Sequence, residues 1–277
     1  MTTTRTALVT GASSGIGLAT ARRLLDRGYK VIGTSRNPDT VPDAARQDGL
    51  RYRALDLRDK ASIDGFVGAL YAENIHVDVL VNNAGESQSG PLEEIPLGAL
   101  ERLFQINVLG PVHLTQLLLP GMRRNGYGRV VMVSSMLASF PLAYRSSYVA
   151  SKAAIEGFAT AARFELSPFG VWLTTVEPGS IKTGISGRRT KYIAEDSPYA
   201  KPFKKMIKTL DTNEREGVAP ERVARTIVDA IEEKEPASLY AVGSNAPAVF
   251  ALRRALPRGA VERVLGRLYG VRSDSTG

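Results

Sequence analysis

Short apolar runs alternate with longer helical patterns along almost the whole chain, and that alternation leaves few folds open. The strand-like runs are residues 6–10 (TALVT), 30–34, 52–55, 77–81 (VDVLV), 129–133 (RVVMV), 171–176 and 238–242. Helical patterns follow the first run through about residue 27, then cover 60–73, 97–124, 147–166 and 219–233. The strand runs are rich in β-branched residues and do not alternate apolar with polar, so both faces of each strand should be covered. Strict β–α alternation then predicts an open, doubly wound α/β domain. Its seven-stranded parallel sheet would carry right-handed crossovers and helices on both faces. No linker rich in Pro, Gly or Ser divides the 277 residues.

Two segments break the rhythm. Residues 186–217 are a long polar insertion with Tyr199, Phe203 and Met206 set among lysines. A connection of that length inside a compact domain is usually functional. The tail from about 245 to 272 carries Leu252, Leu256, Val261, Val264, Leu265 and Leu268 against several arginines, an amphipathic helical pattern. The expected organisation is one domain: residues 1–244, with 245–277 as a C-terminal helical extension. That helix has two readings, a cover at the edge of a pocket or a basic face that touches anionic membranes.

Composition removes several functions. Cysteine is absent, which excludes disulfides, thiolate metal sites and a cysteine nucleophile. The formal charge of +8 comes from scattered basic residues, without the arginine-rich tract expected of a nucleic-acid protein. No run approaches the roughly 20 apolar residues of a membrane span. The first five residues lead into the first strand without a signal-peptide pattern, so a cytoplasmic protein is expected. His76 and His113 have no second ligand at suitable spacing, and no metal is expected.

Thr10-Gly11-Ala12-Ser13-Ser14-Gly15-Ile16-Gly17 lies where the first strand turns into the first helix. Glycines there permit a tight turn, close backbone approach to a pyrophosphate and close packing of helix on strand. The helix N-terminus adds N–H groups and a positive dipole end. At the end of the second strand the chain reads Gly33-Thr34-Ser35-Arg36-Asn37, with no acid to accept from ribose hydroxyls. Arg36 can instead pair with a 2′-phosphate, and Ser13 and Ser14 can add hydroxyl donors, so NADP(H) is expected over NAD(H). Farther on, Tyr148 and Lys152 stand four residues apart on one helix face. A phenol ionises near pH 10 in water, and an ammonium beside it favours the phenolate.

Together these motifs resemble the short-chain dehydrogenase/reductase family, whose order the chain follows from about residue 6 to 240. They are 10–17, Asp56, 82–85 (NNAG), Asn107, Ser135, Tyr148 with Lys152, and Pro178-Gly179 with Thr183. The resemblance implies a Rossmann-type fold and interconversion of a carbonyl and an alcohol. It makes Tyr148 the proton donor and acceptor, Lys152 its activator and the ribose ligand, Ser135 a hydrogen-bond partner of the substrate oxygen, and Asn107 the holder of a relay water. It places Gly11, Gly15, Ile16, Gly17, Asp56, Leu57, Asn83, Ala84 and Gly85 around the adenosine and phosphates. Pro178, Gly179, Ile181 and Thr183 would lie at the nicotinamide. Self-association as a homodimer or homotetramer is implied as well, and the alanine-rich 147–166 helix offers a face for it.

The substrate pocket is expected from Phe140, Pro141, Leu142, Tyr144, residues 87–91 and the Tyr199/Phe203/Met206 segment. That lining favours a bulky hydrophobic substrate, and the text resembles the hydroxysteroid and retinol dehydrogenase branch. A 3-oxoacyl thioester reductase is the alternative, with Arg188, Arg189, Lys191, Lys204 and Lys205 receiving an acidic carrier protein. A non-catalytic NADP sensor or scaffold is the other.

Overall fold

The computed structural model describes residues 4–255 and 257–270, with the side chains at 247, 252–255, 258, 262 and 265 outside the described set. In chain order the strands are β1 (Thr6–Val9), β2 (Lys30–Ser35), β3 (Leu50–Ala54), β4 (Val79–Asn82), β5 (Gln88–Ser89), β6 (Gly128–Val133), β7 (Val171–Pro178), β8 (Thr190–Lys191) and β9 (Leu239–Val242). The α-helices are α1 (Gly15–Asp26), α2 (Lys60–Ala72), α3 (Leu97–Phe104), α4 (Gly110–Arg124), α5 (Met136–Ser139), α6 (Ser146–Leu166), α7 (Ile185–Arg188), α8 (Ala200–Arg215), α9 (Pro220–Glu232), α10 (Ala246–Ala255) and α11 (Arg258–Leu268).

Seven strands form one parallel sheet in the order β3-β2-β1-β4-β6-β7-β9. The absence of polar alternation has the expected cause. Leu8, Leu80, Val130, Met132 and Leu173 pack to one side with Ile63, Leu70, Leu114, Leu118 and Ile155 from α2, α4 and α6. Ala7, Val9, Val79, Val81, Val131 and Val176 face the other side, with Leu24 of α1 and Val223, Ile227 and Ile231 of α9. Successive strand residues thus enter different cores, and neither face needs polar side chains. The strand order reverses at β1 and β4, whose carboxyl ends open a crevice.

Four features depart from the sequence reading. The segment expected as one helix over 97–124 carries a π turn at Gln105–Leu109, between α3 and α4. The insertion at 186–217 is largely helical: α8 buries Phe203, Met206, Ile207 and Leu210 on one face. Its apolar spacing was masked by the lysines on the other. A two-stranded sheet, β5 with β8, ties that insertion to the segment after β4. The tail is two helices rather than one, because Pro257 lacks an N–H for a continuing helix. Of its predicted apolar positions, Leu256 and the side chains of Leu252 and Leu265 lie outside the described residues, as do residues 271–277. Among the described residues no helix is long and apolar enough to cross a membrane.

Gly17 sets how closely α1 meets the sheet. A Cβ there would stand 2.4 Å from both Asn83 Nδ2 and Gly11 O. Gly17→Ala should therefore cost about 1–3 kcal/mol of stability by forcing α1 outward. A urea midpoint equal to that of the wild type would contradict this packing.

Candidate active site

One cavity of about 520 Å³ runs across the carboxyl ends of the strands, from the glycine turn to the C-terminal helices. It is lined by Gly11, Ser13, Ser14, Gly15, Ile16, Arg36, Asp56, Leu57, Asn83, Ala84, Gly85, Ser135, Tyr148, Lys152, Pro178, Gly179, Ile181 and Thr183. Gly17 and Asn107 stand behind this wall. Gly17 packs on Asn83, and Asn107 lies beneath Gly85.

The wall at the switch point is built by hydrogen bonds between β1 and β4. The Thr10 hydroxyl accepts from the backbone N–H groups of Asn83 (2.9 Å) and Ala84 (3.0 Å) and donates to Val81 O (3.3 Å). Asn83 Nδ2 donates back to Thr10 O at 2.9 Å. These bonds satisfy the buried groups of the turn and hold the α1 N-terminus toward the cavity. Ser14 has an extended backbone and its side chain does not cap α1, whose first turn contains no acid. An uncapped helix N-terminus with neighbouring hydroxyls fits the phosphates of a dinucleotide.

Beyond the ends of β2 and β3, Asp56 pairs with Arg58 at 2.5 Å. Those hydrogen bonds hold its carboxyl below the usual range, with partial burial opposing and Arg36 adding a smaller pull. The cap of α2 is Asp59, which accepts from Ala61 N. Asp56 is thus not the cap of α2 but stands at the crevice wall with both oxygens held by Arg58, and Arg36 makes no ion pair among the described residues.

At the other end, Tyr148 and Lys152 share the buried face of α6. The Lys152 ammonium lies 5.8 Å from the centroid of the Tyr148 ring and donates to Val133 O at 2.9 Å. Burial lowers the Lys152 pKa, and the Tyr148 phenol partly offsets this. Ser135, two residues beyond the end of β6, accepts from Leu137 N and caps α5. Neighbouring Ser134 donates to Lys152 O instead. Asn107 explains the π turn. Its Oδ1 accepts from Glu86 N (2.8 Å), and its Nδ2 donates to Glu86 O (3.0 Å) and Ser151 Oγ (3.1 Å). Ser151 in turn donates to Tyr148 O (2.8 Å), so Asn107 braces the turn of α6 that carries both reactive groups. A side chain at Gly85 would crowd Asn107 Oδ1, since a Cβ there would lie 3.0 Å away.

Several polar residues of the cavity were not singled out from the sequence, among them Arg145, Glu214 and Tyr269. Arg145, 2 % exposed, stacks 4.1 Å from the Tyr148 ring centroid and donates to Ser87 Oγ, Gln88 O and Ser89 Oγ. Burial lowers its pKa to about 10, opposed chiefly by the phenol. Glu214 lines the same cavity, its carboxyl raised by burial and pulled back by Arg189. Tyr269 follows α11 into the lining. Only the arginine three residues before the tyrosine offered a local signal; the other two arrive from distant segments.

The apolar lining also shifts from the expected set. Leu137, Phe140, Leu142, Leu210, Val249 and Leu268 line the cavity. Tyr199, Phe203 and Met206 do not: Tyr144 packs edge-on against Tyr199 and Phe203, while Phe203 and Met206 join Leu142 in a separate core. Arg189 is not available to an acidic carrier protein, because its side chain is buried and paired with Asp211 and Glu214. The tail covers the pocket edge, with Phe250 meeting Phe140 at 5.2 Å. His113 pairs with Asp64 at 2.6 Å, and the described residues hold no cluster of metal-ligating side chains.

Known proteins resemble this chain in sequence and fold. The sequence model of the short chain dehydrogenase family matches residues 5–193. The oxidoreductase YusZ of Bacillus subtilis is 36% identical over 273 residues, 94% of this chain and 96% of that one. The 3-ketodihydrosphingosine reductase of Bacteroides thetaiotaomicron is 30% identical, across 96% of this chain and 98% of its own. Among solved structures, a short-chain dehydrogenase from Streptomyces avermitilis superposes with a TM-score of 0.83 at 34% identity, covering 96% and 97% of the two chains.

Burial of Lys152 carries a stability cost that can be measured. Its native pKa lies below the unfolded value of about 10.4, so the unfolded chain binds the extra proton in that window and stability rises with pH through it. Lys152→Met should raise the urea midpoint at about pH 7, by about 1 kcal/mol or more, and this advantage should shrink near pH 10. A variant less stable at both pH values would show that the bond to Val133 O outweighs the buried charge.

Proposed function

The chain belongs to the short-chain dehydrogenase family, and from that premise we propose that it is an NADP(H)-dependent oxidoreductase of bulky, lipid-like carbonyls and alcohols. The observation that carries the reading is the single cavity that joins the uncapped α1 N-terminus to the Tyr148–Lys152 face and an apolar outer wall. When bound, the dinucleotide supplies the hydride for the carbonyl carbon. The chain's own residues handle the proton. Tyr148 Oη gives its proton to the carbonyl oxygen in reduction and takes it back in oxidation, with Ser135 Oγ hydrogen-bonding the same oxygen. Lys152, 5.8 Å from the ring centroid, favours the phenolate and holds the ribose. Asn107, through Glu86 and Ser151, keeps this geometry and serves a relay water.

Cofactor preference rests on Arg36. It stands in the cavity lining just beyond the end of β2, and the nearby Asp56 is already paired with Arg58. A guanidinium there matches a 2′-phosphate in charge and in fork geometry. Substrate class rests on the six apolar side chains of the outer wall. The similarity to the 3-ketodihydrosphingosine reductase over nearly both whole chains supports a long-chain substrate.

Tyr148→Phe should abolish turnover while NADPH binding persists, and Arg36→Leu should lower kcat/KM for NADPH by about tenfold or more while sparing NADH. Steady-state assays with long-chain ketones and both cofactors check these outcomes; full activity of Tyr148→Phe or a wild-type preference for NADH would sink the corresponding assignment.

Self-association belongs to the same proposal. Ala150, Ala153, Gly157, Ala161 and Phe164 are exposed along one side of α6, away from Tyr148 and Lys152, and Phe164 is 77% exposed. Small residues beside an exposed aromatic suit close helix–helix contact. Phe164→Glu should reduce the sedimenting mass, and an unchanged mass would remove this face from the assembly.

A further inference from the structure

Beyond Pro178 the chain leaves β7 and comes down on the glycine turn. Thr183 packs over Gly15, where an added Cβ would lie 3.2 Å from Thr183 Cβ. Arg188, at the end of α7, reaches back across the same turn, with Nη1 3.3 Å from Ser14 Oγ. It lines the cavity beside Ser14 and makes no ion pair among the described residues. The positive end of α1 and a guanidinium therefore converge on Ser14, and no acid sits in the first turn of the helix. Like poles brought together repel one another, and an anionic group between them reverses the sign of the interaction.

The adjacent residue ties this contact to the substrate end. Arg189 is wholly buried and pairs with Asp211 at 2.5 Å and with Glu214, both on α8. Leu210 and Glu214 of that helix line the cavity. Two consecutive arginines thus take opposite partners: one reaches the glycine turn, the other grips the helix over the substrate.

We propose that Arg188 binds the pyrophosphate of the dinucleotide, and that Arg189 carries the resulting closure to α8. The proposal rests on the dinucleotide reading above and extends it: a phosphate ligand comes from the substrate-covering segment, not from the glycine turn alone. Cofactor binding would thereby order the substrate wall before substrate arrives. Arg36 answers to the 2′-phosphate, whereas Arg188 answers to a group common to NADPH and NADH.

The test is fluorescence titration of wild type, Arg188→Ala and Arg188→Lys with NADPH and NADH. Competition by 2′-AMP, which has a 2′-phosphate and no pyrophosphate, is run alongside. Arg188→Ala should weaken both dinucleotides by about tenfold or more, Arg188→Lys should recover part of the loss, and the 2′-AMP affinity should hold. In hydrogen exchange, NADPH should protect Ala200–Arg215 in the wild type and much less in Arg188→Ala. Wild-type affinity in Arg188→Ala, within about twofold, overturns the proposal alone, and so does a loss shared equally by 2′-AMP. Failure of the wild type to bind either dinucleotide overturns the cofactor reading and this proposal with it.

Discussion

Everything at the site hangs from the Thr10 hydroxyl. It is the point at which β1 and β4 part, and it accepts from two backbone N–H groups of the strand beside it while donating to a third residue. Parallel strands cannot be joined by tight turns, so their carboxyl ends diverge into separate crossovers and expose backbone groups. Thr10 and Asn83 satisfy those groups without closing the crevice. From that junction α1 aims its N-terminus at the cavity, and Gly85 sits where it can rest on Asn107. The glycine turn and the Tyr148–Lys152 face are therefore held in one frame.

The fold was legible because its physics is local and repeated. The central strands of the main sheet are buried on both faces and read as plain apolar runs, the edge strand β3 is half exposed, and all seven were readable within a few residues. The glycine turn and the Tyr148–Lys152 spacing were equally legible, since each places its groups within one element. What escaped had its cause elsewhere in the chain. The π turn at Gln105–Leu109 leaves no periodicity signal; it follows from Asn107 reaching the backbone of Glu86. Arg145 looks like a solvated loop residue until β5 supplies its acceptors. Phe203 and Met206 look like pocket residues but fill the core that holds α8 in place, with Tyr199 stacked at its edge on Tyr144.

The outer wall of the cavity is thus assembled from pieces remote in sequence: α5, α8, and the tail helices with Tyr269. Such a wall depends on tertiary contacts more than on any motif, and its composition can vary while the reaction centre stays fixed. Functional variety on one fold commonly arises this way, with chemistry on the rigid strand ends and selectivity on the covering segments.

The π turn has a consequence for how this chain tolerates change in length. A π turn spends one more residue on a single turn than an α-helix does, so the bulge changes where its own side chains point while the helix continues on either side. Loss of a single codon between 105 and 109 would restore a regular rod and keep the apparent helical character of the segment. It would also withdraw the Asn107 amide from Glu86 and from Ser151. A stretch that reads as an ordinary helix is therefore fixed in length as strictly as the glycine turn is fixed in composition.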